Sequence, residues 1–264
     1  MKITEIIEKR VSVRTFDESR ELDANVVEDI KQSISNASTP FGDGFTIDFK
    51  KFDLKGPQTP STYGTISGAS WYLLMGIQDD EMASLAAGYG MEKVVLKATE
   101  LGLGTCWMAL TFKGADFMRA TQMPADEPLR IISPVGYPAK KRKMLESITR
   151  MTLGSAKRKP MDDLFSDGEF GSPVKEDNKF YEALAMMRLA PSAKNTQPWR
   201  ALVSGNVVWF YYEQKSEASV LDLGISLCHF DLTLKEEGRE GVWEKSVNAP
   251  EKKGHIPVVK FTLK

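Results

Sequence analysis

Cysteine and histidine are scarce in this chain, with two of each in 264 residues. Cys106 and Cys228 both lie inside apolar segments, which points to buried thiols in a reducing compartment rather than to a disulfide framework. His229 and His255 have no partners at metal-ligand spacing, which argues against a metal site. Long apolar runs are missing as well. The most apolar stretch, Trp71 to Ile77, falls far short of the roughly 20 residues of a membrane span. The first ten residues carry Glu5 and Glu8 and no apolar core, unlike a signal peptide. Neither charge dominates: 35 Lys and Arg stand against 36 Asp and Glu, a net charge of -1. No global field therefore draws the chain to nucleic acid or to an anionic membrane, and any anion site must be built locally. These absences make a cytoplasmic protein, with no metal, membrane or nucleic-acid partner, the expectation. At 29.5 kDa and 42% hydrophobic residues, the chain can bury a large core, as one body or as two halves.

What is present centres on Ala190 to Trp199, Ala-Pro-Ser-Ala-Lys-Asn-Thr-Gln-Pro-Trp. Pro191 is expected to end the helix before it, and Pro198 to release the chain into a strand. Between them Ser192, Lys194, Asn195, Thr196 and Gln197 form a short polar loop. Its backbone N–H groups are expected to be free for a ligand, and the Asn195 amide can both donate and accept. A planar ligand with a polar edge, such as a flavin ring, needs such partners. Turn chemistry alone would equally give a solvated helix-to-strand turn.

Along the chain, Ile3, Ile6 and Ile7 mark a short opening helix. Arg10-Val11-Ser12-Val13-Arg14 reads as an extended segment with Arg10, Ser12 and Arg14 on one side and the two valines on the other. Two guanidiniums flanking a hydroxyl suit a phosphate or another anion; a strand with a solvated polar edge would show the same pattern. Asp23 looks like an N-cap, followed by a helix faced by Val26, Val27, Ile30 and Ile34. Strands are expected at Phe45 to Phe52, Trp71 to Ile77 and Ile131 to Val135, with an irregular excursion from Asp53 to Ser70. A long helix should run from Glu81 to Leu101 and close at Gly102-Leu103-Gly104. That Gly-x-Gly ends a helix, so it is no dinucleotide fingerprint. Pro138 to Pro160 is irregular and basic, carrying Lys140, Lys141, Arg142, Lys143, Lys157, Arg158 and Lys159; it lacks the interleaved aromatics of a nucleic-acid binder. Phe180, Leu184 and Met187 mark the helix before Pro191. Trp199 to Ser204 and Val207 to Tyr212 flank Gly205-Asn206 as a hairpin. A second long helix, Ala218 to Glu237, ends at Gly238, and Val258 to Leu263 is a last strand.

The two halves echo one another. Gly88, Gly102 and Trp107 recur 136 residues later as Gly224, Gly238 and Trp243. Upstream the shift is 154, pairing Ala37, Ser38 and Phe45 approximately with Ala190, Ser192 and Trp199. The two shifts differ by 18, the number of residues from Asp53 through Ser70, so an internal repeat with one long insertion is expected. The same shift of 154 puts Leu164 and Gly168 at the positions of Arg10 and Arg14, and Phe41 at that of Asn195.

The Pro-Ser-Ala-Lys-Asn-Thr-Gln-Pro-Trp stretch resembles the signature of the FMN-dependent nitroreductase family. Arg10 to Arg14 resembles the family's N-terminal arginine-serine-arginine motif, although Val11 stands where a basic residue is usual. Gly102 to Trp107 is similar to the segment closing the family's central helix. Arg158-Lys159-Pro160 is similar to its phosphate-reaching basic residue before proline. The resemblance implies an α+β nitroreductase-like fold with two pseudo-symmetric halves, residues 1–160 carrying the Arg-Ser-Arg motif and 161–264 carrying the loop. It is that of a covalently joined, asymmetric version of the family's dimer, in which arginine motif and loop come from different subunits. It also implies FMN as cofactor, with Arg10, Ser12, Arg14 and Arg158 for the phosphate, ribityl chain and pyrimidine edge, where a cation stabilises reduced flavin. Pro191, Ser192, Ala193 and Asn195 would meet the ring, with Met108, Ala109 and Leu110 beside it. No acid, base or nucleophile of the protein is implied. The flavin would take hydride from NADH or NADPH and pass it to a nitro compound, quinone or similar small acceptor. A chain working as a monomeric pseudo-dimer is expected, and a flavin-binding module with little turnover is the alternative.

Overall fold

In the computed structural model, which describes residues 1–56, 59–140, 154 and 157–264, the chain forms two compact units. One is Lys9–Leu153; the other joins Met1–Glu8 to Gly154–Lys264. The opening helix α1 (Ile3–Lys9) thus belongs with the C-terminal residues. Its first N–H groups have no partner within the helix, and Ile3 N–H donates to Glu236 Oε1 at 2.6 Å. Ile6 and Ile7 are buried. A division at residue 160 puts α1 and residues 154–160 in the other half.

In the unit Lys9–Leu153, the apolar run Trp71–Ile77 forms a strand (β2) buried from Tyr72 onward. A strand lined on both sides has no solvent face, which is why its sequence shows no alternation. It pairs antiparallel with β1 (Phe45–Lys51) and β4 (Leu129–Gly136), and the two-residue β3 (Gly104–Thr105) adds to β4, giving the order β1-β2-β4-β3. Helices α2 (Ala24–Ser35), α3 (Glu81–Glu100) and α4 (Gly114–Met118) complete the unit. α3 is apolar nearly all round and is correspondingly buried. Asp80 caps it, its carboxylate accepting Ala83 N–H at 2.9 Å. The helix closes where Gly102, at φ +76°, lets Leu103 N–H reach Ala98 O at 2.9 Å and Gly102 N–H reach Thr99 O at 3.0 Å; this is the Schellman pattern. Phe52, Tyr72 and Phe117 meet edge to face in the core.

The second sheet runs β5-β6-β7-β9-β8, from β5 (Phe165–Asp167), β6 (Trp199–Ser204), β7 (Val207–Tyr212), β8 (Gly241–Lys245) and β9 (Ile256–Leu263). Only β5 pairs in parallel. Without β5, the order is hairpin, third strand, then the short strand that follows the long helix, as in the other unit. α5 (Met161–Leu164) and α6 (Tyr181–Arg188) precede the long helix α7 (Ser219–Glu236). α7 ends at Gly238, φ +71°, with Arg239 N–H on Leu234 O at 2.9 Å and Gly238 N–H on Lys235 O at 3.1 Å. These are the two cap bonds of α3 moved along by 136 residues. Phe180, Phe210, Phe230, Trp243 and Phe261 pack into one aromatic cluster against it.

Several expectations change. Asp23 stands at the start of α2 with extended backbone, but its side chain makes no capping hydrogen bond. Arg10 to Arg14 is extended without being a ladder strand: only isolated bridges at Ser12 and Thr15 hold it. The alternation of a strand therefore does not apply, and Val11 is exposed while Val13 and Arg10 are buried. Strands β3, β5 and β8, and helices α4 and α5, went unread because two to five residues are too few to display a period. Lys141, Arg142 and Lys143 lie outside the described residues.

Two adjacent glycines separate backbone strain from crowding. A Cβ on Gly102 would meet nothing within 4 Å, whereas one on Gly104 would lie 2.7 Å from Val13 Cβ. Gly102→Ala should cost about 1 kcal/mol through its left-handed φ alone. Gly104→Ala should cost about 1–3 kcal/mol by overpacking and displace the arm bearing Val13. Urea unfolding measures both, and equal losses would contradict the distinction.

Candidate functional site

The arm Arg10 to Arg14 lies in the unit Lys9–Leu153. Val13 N–H donates to Thr105 O at 2.8 Å, and Ser67 N–H donates to Arg14 O at 2.9 Å. The excursion after β1 thus holds the arm on one side and β3 on the other. Arg10 is 7% exposed, with Nε 3.8 Å from Oε1 of the fully buried Glu92. Burial lowers its pKa and Glu92 opposes that fall. The other Glu92 oxygen accepts the Trp107 indole N–H at 2.9 Å. Arg10 Nε and Arg14 Nη1 are both buried, and neither has a hydrogen-bond acceptor among the described residues. Buried donors left in this way are costly, and a cationic pair of them fits an anion. Ser12 lies between the two, half-buried. Met108 exchanges both main-chain hydrogen bonds with Ile132 at 3.0 Å and sits in the core. The chain then turns outward, so Ala109 is exposed and Leu110 is 79% exposed.

The loop after α6 lies in the other unit. Ser192 is extended, Ala193–Asn195 form one 3-10 turn, and Lys194, Asn195 and Gln197 all have positive φ (50°, 56° and 49°). Three non-glycine residues in that region within four positions are costly and persist only where neighbours fix them. The fixing contacts are specific. Asn195 Nδ2 donates to Gly154 O at 2.8 Å and Lys157 O at 3.0 Å. Its Oδ1 accepts from Gln197 Nε2 at 3.2 Å and Arg158 Nη1 at 3.3 Å. Arg158 Nη2 donates to Leu189 O at 3.0 Å, and Gln197 Oε1 accepts Lys159 N–H at 2.8 Å. The structure thus joins Arg158 and Asn195, as well as the strand of chain before α5, into one network.

The loop's N–H groups were expected to be free, and four of them are not. Asn195 N–H goes to Ser192 O at 3.0 Å and Thr196 N–H to Ala193 O at 3.1 Å. Gln197 N–H goes to Ser192 Oγ at 2.9 Å, and Ala193 N–H lies 3.1 Å from each carboxyl oxygen of Asp222. The left-handed turn folds the amides of Asn195, Thr196 and Gln197 back on the loop, while Ala193 N–H is taken by the buried acid on α7. Asp222, in the first turn of α7, is 2% exposed. Burial raises its pKa to about 7, with the Ala193 N–H pulling the other way. Pro191, Ser192 and Ala193 remain half-buried at the loop's edge.

Glu92 and Asp222 are the residues that sequence reasoning passed over. The signal for the two acids was a single carboxylate in an apolar helical run, Tyr-Gly-Met-Glu-Lys-Val-Val and Val-Leu-Asp-Leu-Gly-Ile. An isolated acid on such a face needs a partner from elsewhere. Among the described residues no group of three His, Cys, Asp or Glu side chains is placed to hold a metal ion, and no helix is long and apolar enough to cross a membrane.

Comparison with known proteins gives the fold its context. No curated protein matches the chain. Among solved structures, one described as a "putative nitroreductase" from Thermotoga maritima MSB8 is 25% identical, covers 100% of this chain and 94% of its own, and superposes with a TM-score of 0.61. A nitroreductase with bound FMN from Bacteroides fragilis is 15% identical over 55% of this chain and 92% of its own, with a TM-score of 0.43. An FMN-dependent nitroreductase from Clostridium difficile is 16% identical over 52% of this chain and 88% of its own, with a TM-score of 0.41. The full-length match establishes an α+β nitroreductase fold. The family model described as "Putative TM nitroreductase" matches residues 2–234, and by that match this chain belongs to the nitroreductase family it describes.

Proposed function

We propose that the protein is an FMN-dependent oxidoreductase that takes hydride from NADH or NADPH and reduces nitroaromatics, quinones or similar small acceptors in a ping-pong cycle. The observation that carries this reading is the pair of buried, acceptor-less guanidinium nitrogens on Arg10 and Arg14, in a member of a nitroreductase family. Bound FMN would supply the hydride chemistry; the protein's part is to bind, orient and tune it. Arg14 and Ser12 take the phosphate and ribityl oxygens. Arg10 adds positive charge tempered by Glu92, and Arg158 adds more from the loop network. Pro191, Ser192 and Ala193 form the ring-side edge of the loop, and Asn195 fixes the loop's shape through Gly154 and Lys157. Ala109 and Leu110 offer an apolar surface beside the ring, anchored through Met108. The wider reading is a covalent pseudo-dimer in the cytoplasm, acting as a monomer. It is supported by the common strand order and by the cap bonds that recur 136 residues apart.

Flavin loaded onto the protein should bleach with NADH or NADPH and regain its colour on adding a quinone. Colour that persists under both donors would leave a flavin-holding protein with little turnover.

The two arm arginines should separate by their effects. Arg14→Ala should weaken FMN binding by about 2 kcal/mol, more than tenfold, with little loss of stability. Arg10→Ala removes the guanidinium beside the buried Glu92 carboxylate and should cost about 3 kcal/mol of stability. Fluorescence titration with FMN and denaturant unfolding of the flavin-free protein read the two effects, and unaltered affinity in the Arg14 variant would remove that residue from the site.

Asn195→Leu should lower the melting temperature as well as the flavin affinity, because Gly154 O and Lys157 O each lose a donor. A variant with parental melting would mean the loop needs no such brace.

One FMN per chain is expected. Phe41, at the position of Asn195 in the other half, is buried and packs edge-on against Tyr89 at 5.6 Å, and Leu164, at the position of Arg10, is a buried side chain with no charge to offer a phosphate. Flavin released by denaturation after saturation counts the sites directly; a value near two per chain would end the asymmetric reading.

A further inference from the structure

We infer that Asp222 is the positioning residue of the 192–197 loop, holding it in its flavin-ready form when the carboxyl group is neutral and loosening it on ionisation. This rests on the loop being the ring-side wall of the flavin site.

The geometry is specific. Asp222 is buried beneath the loop, its two carboxyl oxygens each 3.1 Å from Ala193 N, and that is the hydrogen bond it makes among the described residues. One N–H is little compensation for a buried charge, which ordinarily needs two or three donors or a cation. Among the described residues no cation supplies the deficit. On the loop, Lys194 is exposed. On α6, Glu182 is exposed, and Arg188 Nη1 turns to Lys159 O at 3.4 Å. On the preceding segment, Lys157 is exposed, Arg158 is bound to Leu189 O and Asn195 Oδ1, and Lys159 has its Nζ 3.4 Å from Gln197 O. On α7 itself, Asp231 is held by Lys235 at 2.7 Å and by Trp243 at 3.0 Å. The titration of Asp222 answers to burial and to the Ala193 N–H alone.

The loop above it is poised to respond. Its three left-handed residues store backbone strain that only the surrounding bonds hold in place. The acid is also peculiar to this half. Moved back by 136 residues, its position is Ala86 in the middle of α3, buried at 0% exposure. The carboxyl group is found beneath the polar loop and is missing from the half without one.

The sign follows from linkage. With the loop closed, the carboxyl keeps its proton up to about pH 7; with the loop lifted and the group hydrated, its value returns toward the ordinary 3.8. The raised value belongs to the closed form, so protonation favours closure. That contribution is complete below the ordinary value, falls by up to about tenfold per pH unit as pH rises toward 7, and is constant above it. Flavin, binding the closed loop, should follow the same course.

The test uses the full chain and the variant Asp222→Asn, which keeps an oxygen for Ala193 N–H and cannot ionise. FMN affinity of the parent should fall by about tenfold per pH unit or somewhat less between pH 5 and 7 and level off above, while that of the variant stays flat and exceeds the parent's at pH 8. Independently, the Ala193 amide resonance of the flavin-free parent should titrate with a midpoint near neutrality. Identical pH profiles for parent and variant, or an Ala193 resonance that does not move, would overturn the inference. If the variant does not fold, the Ala193 titration of the parent still decides. If FMN binds at no pH while Ala193 titrates, the flavin reading fails and the loop switch stands.

Discussion

A carboxyl group buried on a long apolar helix must find donors, and in each unit that requirement places one of the two polar segments that stand out in the sequence. Glu92 on α3 receives the Trp107 indole and faces the Arg10 guanidinium. Asp222 on α7 receives Ala193. An uncompensated charge at such depth would cost several kcal/mol, so the arm and the loop are each tied to the body of their unit by a deeply buried acid. The tie gives the arm its course past β3, and gives the loop a fixed point around which three strained residues can be arranged.

The two acids are compensated to different degrees, and the difference suits their segments. Glu92 faces a full positive charge and an indole donor, so the arm is anchored permanently and its second arginine, Arg14, is left with a donor to spare for an anion. Asp222 has one amide and, among the described residues, no cation, so its anchorage depends on its own proton. Under the proposed flavin role, the arm would clamp a phosphate that only binds, and the loop would wall a ring whose charge changes.

The same economy appears in the way the units are built. Each has an antiparallel hairpin, a third strand, and a short strand delivered by a glycine-closed helix, and each ties the tryptophan that follows that helix to a carboxylate on it, Trp107 to Glu92 and Trp243 to Asp231. They diverge around the arm and the loop. One keeps the excursion that holds the arm; the other has a tight Gly205-Asn206 turn and an added parallel strand, β5. Phe41 and Asn195 sum up the contrast, one ring buried against Tyr89 and one amide spanning Gly154, Lys157 and Arg158.

The sequence by itself determined the long helices, the β2 run, the hairpin strands Trp199–Ser204 and Val207–Tyr212 and the glycine closures, because each rests on local periodicity or turn chemistry. It also singled out the arm and the loop, because their polar residues crowd into a few positions. Tertiary structure alone decided which groups those segments touch. Arg10 meets an acid on α3, far along the chain, and Ala193 meets one 29 residues later; no local pattern encodes such partners. It also decided that Asn195 and the loop amides turn inward, since left-handed backbone at Lys194, Asn195 and Gln197 is imposed by the surrounding bonds rather than by residue type. The strands β3, β5 and β8 exist because longer neighbours offer them an edge, and that is a property of the assembled sheet.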